Sequence, residues 1–305
     1  MANGDRTPNV AASAGVAHQP WGTEGTDGRS YAAANPVRQA PLSPDPASDA
    51  SPESATTPPL RGDGRQATDL RPVRFLWDPM GFALASVTIE AGRTRVLCSV
   101  CVEEEVPRWR RGSGQGWLSA EYRLLPASTP TRQSRELLKL YGRTQEIQRL
   151  IGRSLRAALD LEALGECTLL VDCDVLQADA GTRTTAITGA WVALALALRR
   201  LRERGDLASD PLRHQVAAVS VGLVGGRALL DLAYAEDSRA EVDLNVVGNE
   251  NGELLEIQGT AEGAPFSRSQ LDTLLTLAEG GIVTLREQQR QALSEAPPPP
   301  TQETV

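Results

Sequence analysis

The chain has 305 residues, 41% of them hydrophobic, and its 31 Lys and Arg against 39 Asp and Glu give a formal net charge of −8. No apolar run is long enough to span a bilayer, which excludes a helical membrane protein and predicts a soluble one with no membrane partner. The acidic balance argues against a protein that coats nucleic acid over its whole surface, although the distribution of charge matters more than its sum.

Residues 1–60 are rich in Pro, Ala, Ser, Thr, Gly and Asp, lack a periodic apolar signal and end in SPESATTPPL, the composition of a disordered extension. Asp5, Glu24, Asp27, Asp45, Asp49 and Glu53 make this stretch too acidic for a transit peptide, and no signal-peptide core is visible, so a cytoplasmic protein is expected. The C-terminal EAPPPPTQETV reads as a second, proline-rich disordered tail over residues 294–305. The folded unit is thus expected over residues 61–293.

The run TRVLCSVCVEEE, residues 94–105, reads as a strand. Residues three apart on a strand face opposite ways, and no second cysteine pair has ligand spacing, so Cys98 and Cys101 are not a metal or redox pair. With Cys167 and Cys173 they read as reduced cysteines of the core. The only histidines are His18 and His214, so chemistry built on a histidine base is not expected.

Arginine clusters in the middle of the chain. Arg108, Arg110 and Arg111 precede the glycine-rich GSGQGW; Arg123, Arg132, Arg135, Lys139 and Arg143 follow it. The periodicity of GRTQEIQRLIGRSLRAALDLEALG predicts one amphipathic helix over residues 142–165. Ile147, Leu150, Ile151, Leu155, Ala158 and Leu159 form its buried stripe, and Arg149, Arg153 and Arg156 a solvated or subunit-facing rim. Arg143 falls in the first turn, where the helix dipole disfavours a cation unless an anion sits beside it, and that conflict points to a site. Arg132 and Arg135, in the polar STPTRQSRE, suit contact with a flexible polyanion.

After the strand-like TLLVDCDVL comes QADAGTRT, residues 177–184, and then a long Ala- and Leu-rich helix. Gly181 permits close backbone approach, Thr182 is placed to cap the helix, and Arg183 adds a cationic fork beside the helix N-terminus. Together they describe an anion seat. Alone, the octet reads better as an ordinary strand-to-helix turn with a Thr cap, and the rest of the chain has to decide.

Further on, VAAVSVGLVGGRALLDLAYAE reads as a hairpin turning at Gly225-Gly226. It leads into EDSRAEVDLNVV, where a strand period puts Asp237, Glu241 and Asp243 on one face and Val242, Leu244 and Val246 on the other. Like charges on one face are tolerable on a wet surface or around a divalent cation such as Mg²⁺.

Six motifs in order, DGRQATDLRPV, RGSGQGWLSAEY, GRTQEIQRLIGRSLRA, DCDVLQADAGTRT, YAEDSRAEVDLNVV and IQGTAEGAPFS, cover nearly all of residues 61–293. Over them the chain resembles the ribonuclease PH family of phosphate-dependent exoribonucleases. The resemblance implies a single α+β domain of βαβ units, akin to ribosomal protein domain 2, assembled as a homohexamer that is a trimer of dimers. It implies trimming of precursor tRNA 3′ ends by transfer of the terminal nucleotide to inorganic phosphate and reversible release of a nucleoside diphosphate, and leaves open a role in rRNA processing or on other structured RNA. It places phosphate on Arg143, Gly181, Thr182 and Arg183, a catalytic and Mg²⁺-binding role on Asp237 and Asp243, and RNA contacts on Arg132 and Arg135. Ala127 stands where the family usually has an RNA-contacting arginine, and Ala180 where it often has glycine. A non-catalytic ring subunit could share the fold, but it would be free to lose the arginines and aspartates retained here. A polynucleotide phosphorylase half would require a duplicated core, and the motifs do not repeat.

Overall fold

The computed structural model describes residues 61–137 and 139–298. The extension expected over residues 1–60 and the end of the C-terminal tail, 299–305, lie outside them. The chain builds two sheets around a central helix in an α+β arrangement.

The first sheet comprises β1 (Val73–Trp77), β2 (Ala85–Ala91), β3 (Thr94–Glu103), β4 (Trp117–Leu124) and β5 (Thr168–Gln177), in the order β1-β2-β3-β5-β4. All pairings are antiparallel except β4 with β5. A parallel pair needs a crossover, here α1 (Gly142–Ala157) and the short α2 (Leu161–Leu164), which makes a βαβ unit. Val96, Cys98 and Val100 of β3 and Leu169, Val171, Cys173 and Val175 of β5 point inward. Cys98 lies directly opposite Cys173 in the core, whereas Cys101 and Cys167, expected there too, are only partly buried; all four are free thiols.

Central to the core is α3 (Thr182–Arg204), buried on nearly every side from Thr182 to Leu201 because it packs between the first sheet and the second. Its Gly189 permits the close approach: a Cβ there would lie 2.4 Å from Ile89 Cγ2. The second sheet is antiparallel, in the order β7 (Arg227–Leu230), β6 (Ala217–Val224), β8 (Val242–Gly248), β9 (Leu254–Ala261). Gly225 and Gly226 turn the β6–β7 hairpin with φ of 58° and 71°, the positive values that a two-residue turn of this hand needs. The helix α5 (Arg268–Glu295) covers this sheet, packing Leu274, Ala278, Ile282 and Leu285 against Val219, Val221, Leu244 and Val246. It runs two residues past the expected boundary at 293.

Three local expectations are corrected. The helix predicted over 142–165 is broken: α1 stops at Ala157, Leu159 bridges to Leu212, and Asp160 caps α2 through the N–H groups of Glu162 and Ala163. Arg156 is not on a solvated rim, because its guanidinium donates to Leu118 O at 2.9 Å and lies 4.5 Å from the Trp117 ring centroid. Asp237 does not share a strand face with Asp243, since it closes a helical turn, α4 (Tyr234–Asp237), that precedes β8. Glu241 is exposed and accepts from the Gly226 N–H at 3.1 Å, tying down the hairpin turn.

Candidate active site

The loop from β5 to α3 makes its turn with two consecutive left-handed residues, Ala180 (φ 59°) and Gly181 (φ 60°). Gly181 has a specific need to be glycine: a Cβ would lie 2.7 Å from Arg71 Nη2. It is also the helix cap, so the expected Thr182 cap is corrected; Thr182 is the first helical residue and caps nothing. Its Oγ1 instead accepts from the Tyr122 hydroxyl at 2.8 Å. Burial pushes Tyr122 up to about 12, so it stays a neutral donor to the threonine. The first N–H groups of α3 have no partner within the helix and carry its partial positive charge.

Arg183 is mostly buried, donating to Gln258 Oε1 at 2.8 Å and Glu146 Oε1 at 3.2 Å, so β9 and α1 both orient its guanidinium. Arg143 is exposed in the first turn of α1, which holds no acidic residue. It has no hydrogen-bond or ion-pair partner among the described residues.

The two aspartates approach from the second sheet. Asp243, on β8, is pushed up to about 6, by burial first and then by the charge of Asp237, with Arg183 and Arg143 pulling the other way. Its Oδ1 is buried without a hydrogen-bond partner. Asp237 is also raised by burial, against the attraction of Arg143, Arg183 and Arg71. The same pair of arginines acts on both aspartates and on Tyr122. The fold thus brings Arg143, Gly181, Thr182, Arg183, Asp237 and Asp243 into one electrostatic neighbourhood from α1, α3, α4 and β8.

Arg132 and Arg135 are not part of that neighbourhood. Both are exposed in the irregular segment between β4 and α1, and the charge of Arg135 acts on Asp174 of β5. Sequence reasoning missed Tyr122, Glu146, Gln258 and Arg71. All four lie inside the six motifs, but nothing in spacing alone marks them, because their partners are distant in the chain.

Chemically, two arginine charges at a helix N-terminus make a seat for a small oxyanion. A half-buried carboxylate pair with one unpartnered oxygen makes a seat for a proton or a hard cation. Among the described residues no group of three or more His, Cys, Asp and Glu could hold a metal, so a cation here would take two carboxylates and complete its shell elsewhere. Such a juxtaposition suits an enzyme that moves a phosphoryl group between oxygens.

Comparison with known proteins bears on this class directly. Residues 69–199 match the model of the 3′ exoribonuclease family, domain 1, and residues 214–281 that of domain 2. The chain is 70% identical over 239 residues to Ribonuclease PH of a Synechococcus species, covering 78% of this chain and 97% of the relative. It is 60% identical over 236 residues to Ribonuclease PH of Crocosphaera subtropica, covering 77% and 98%. Among solved structures, rice Rrp46 superposes with a TM-score of 0.63 at 19% identity over 76% of this chain and 100% of that one. An Archaeoglobus fulgidus exosome with RNA bound to the active site gives 0.63 at 23% identity over 75% and 92%. The chain belongs to the 3′ exoribonuclease family. Within it the chain groups with ribonuclease PH and is a phosphorolytic 3′-to-5′ exoribonuclease of tRNA processing.

Proposed function

We propose that Arg143, Gly181, Thr182 and Arg183 seat inorganic phosphate for this reaction, and that Asp237 and Asp243 serve the transferring group. Arg143, without a partner among the described residues, and Arg183, held by Gln258 and Glu146 in the first turn of α3, carry the reading. A phosphate oxygen attacks the phosphorus of the last phosphodiester, the bond to the penultimate 3′ oxygen breaks, and a nucleoside diphosphate leaves. Phosphate is already a competent nucleophile, so no histidine base is needed, and the work is positioning and charge stabilisation. The departing 3′ oxygen must gain a proton, and Asp243, titrating near 6, keeps one available close to neutrality.

Asp237 and Asp243 would also hold Mg²⁺, and the buried, unpartnered Asp243 Oδ1 fits a cation ligand. The ion would neutralise charge developing on the transferred phosphoryl. A cation and a proton exclude one another at Asp243, so with the cation bound the proton for the 3′ oxygen would come from water and not from the carboxyl. Arg132 and Arg135 would guide the RNA substrate, precursor tRNA foremost, from outside the phosphate neighbourhood. A homohexameric ring is the assembly that the family resemblance supports. Among the described residues no helix is long and apolar enough to cross a membrane, which is compatible with a cytoplasmic enzyme.

The test is a tRNA carrying extra 3′ nucleotides. The full chain should shorten it only when phosphate is present and release nucleoside diphosphates, and Arg143→Ala should raise the KM for phosphate by about tenfold or more. Monophosphate release without phosphate, or an unchanged KM in Arg143→Ala, would refute the assignment.

A further inference from the structure

Behind the phosphate loop lies Arg71, only 4% exposed, with every polar contact made to the protein. Its backbone N–H and Nε donate to Asp231 Oδ2 at 2.7 and 3.0 Å, and Nη2 donates to Asp231 Oδ1 at 2.6 Å. Nη1 reaches the other way and donates to Asp179 O at 2.6 Å. Thr94, fully buried, completes the grip on the loop: its Oγ1 donates to Ala180 O at 2.7 Å and accepts from Asp179 N at 2.9 Å. Gly181 leaves out the side chain that would strike Arg71. Arg71 and Thr94 between them thus meet residues 179, 180 and 181: Asp179 touches both, Ala180 touches Thr94 and Gly181 abuts Arg71.

The orientation of the loop follows. Across a trans peptide the C=O and the next N–H point opposite ways. With the carbonyls of Asp179 and Ala180 turned inward onto Arg71 and Thr94, the N–H groups of Ala180 and Gly181 face away from them. The cost of a non-glycine residue in the left-handed region, at Ala180, persists only where surroundings over-determine it, as they do here.

From its far end the ion pair reaches the aspartates. Asp231, itself at φ 52°, follows the end of β7 and leads towards α4. Its carbonyl accepts from Arg61 Nη2 at 3.0 Å and Arg65 Nη1 at 2.9 Å. Arg61 forks onto Glu236, the neighbour of Asp237, with Nε at 2.6 Å from Oε1. The Tyr234 N–H, at the start of the same turn, donates to Asp179 Oδ1 at 3.4 Å, which closes the circuit.

We infer that Arg71 and Asp231 clamp the phosphate loop to the aspartate turn, and that Arg71 is thereby a positioning residue for phosphate. The inference rests on the phosphate seat proposed above. A buried ion pair that served stability alone would need no second branch to the loop carbonyl, and no glycine opposite its Nη2. Lysine carries one ammonium and cannot fork onto Asp231 while reaching Asp179 O.

Full-length Arg71→Lys, Thr94→Val and Arg183→Ala proteins would be sized, melted and assayed on a 3′-extended tRNA with phosphate varied; tRNA affinity would be measured without phosphate. Arg71→Lys should raise the phosphate KM about tenfold, and Thr94→Val several-fold, while kcat and tRNA affinity stay within about threefold. Folded variants that lose thermal stability but keep a wild-type phosphate KM would overturn the clamp. Should Arg71→Lys fail to fold, Thr94→Val decides alone. Arg183→Ala separates the two ideas. A raised KM there with normal values in the clamp variants sinks the clamp only, whereas an unchanged KM sinks the phosphate seat and the clamp with it.

Discussion

Asp243→Asn sets function against stability at a single atom pair. Asp243 is pushed up to about 6 in the folded chain, by burial first, from the ordinary aspartate value of about 4. Its folded pKa is raised, so its contribution to stability is full below the unfolded value and is lost as pH rises through about 4 to 6. Above that window the native state holds a poorly solvated charge beside Asp237. A shift of about two units corresponds to roughly 3 kcal/mol as a ceiling, and partial exposure reduces it to about 1–2 kcal/mol. Asparagine keeps the shape and removes the charge. The variant should therefore melt about 3–6 °C higher than the parent at pH 8 in EDTA, with the gain vanishing near pH 4. Added Mg²⁺ should stabilise the parent and not the variant. Turnover on tRNA should fall by about a hundredfold or more while tRNA affinity holds or rises. A variant that melts at or below the parent at pH 8, or that turns over normally with Mg²⁺, would refute the reasoning and leave the aspartate with a structural role.

Two other substitutions probe recognition and packing. Arg132→Ala and Arg135→Ala should weaken tRNA binding and lower the slope of log affinity against log salt by about one per lost phosphate contact. The phosphate KM should stay unchanged, since neither arginine is among the charges acting on Asp237 or Asp243. An unaltered salt slope in correctly assembled protein would remove them from the RNA path. Gly189→Ala, ordinarily favourable inside a helix by about 1 kcal/mol, should instead cost about 1–3 kcal/mol. The reason is that the new Cβ meets Ile89 Cγ2 at 2.4 Å and Cys98 Sγ at 3.1 Å. A higher melting temperature for Gly189→Ala would contradict the close packing of α3 on β2 and β3.

The sequence alone determined what depends on neighbours along the chain. Strand alternation placed Cys98 and Cys101 on opposite faces, the Gly225-Gly226 pair marked a hairpin, and the apolar stripe from Ile147 to Leu159 faced inward as expected. Arg143 stood out as a cation in a first helical turn, a purely local conflict. Tertiary structure decided what depends on partners far away in sequence. Periodicity could not show that α1 stops at Ala157, because the stop is set by the Leu159 bridge to Leu212 and the Asp160 cap. Nor could it put Asp237 on a turn rather than a strand, since Arg61, 175 positions away, holds Glu236 there. Thr182 looks like a cap in any one-dimensional reading, yet Tyr122 from β4 claims its hydroxyl and Gly181 takes the cap. Arg71 shows the difference most plainly. Nothing beside it in the chain distinguishes it from the other arginines, and only the fold brings Asp231, Asp179 and the missing side chain of Gly181 around one guanidinium.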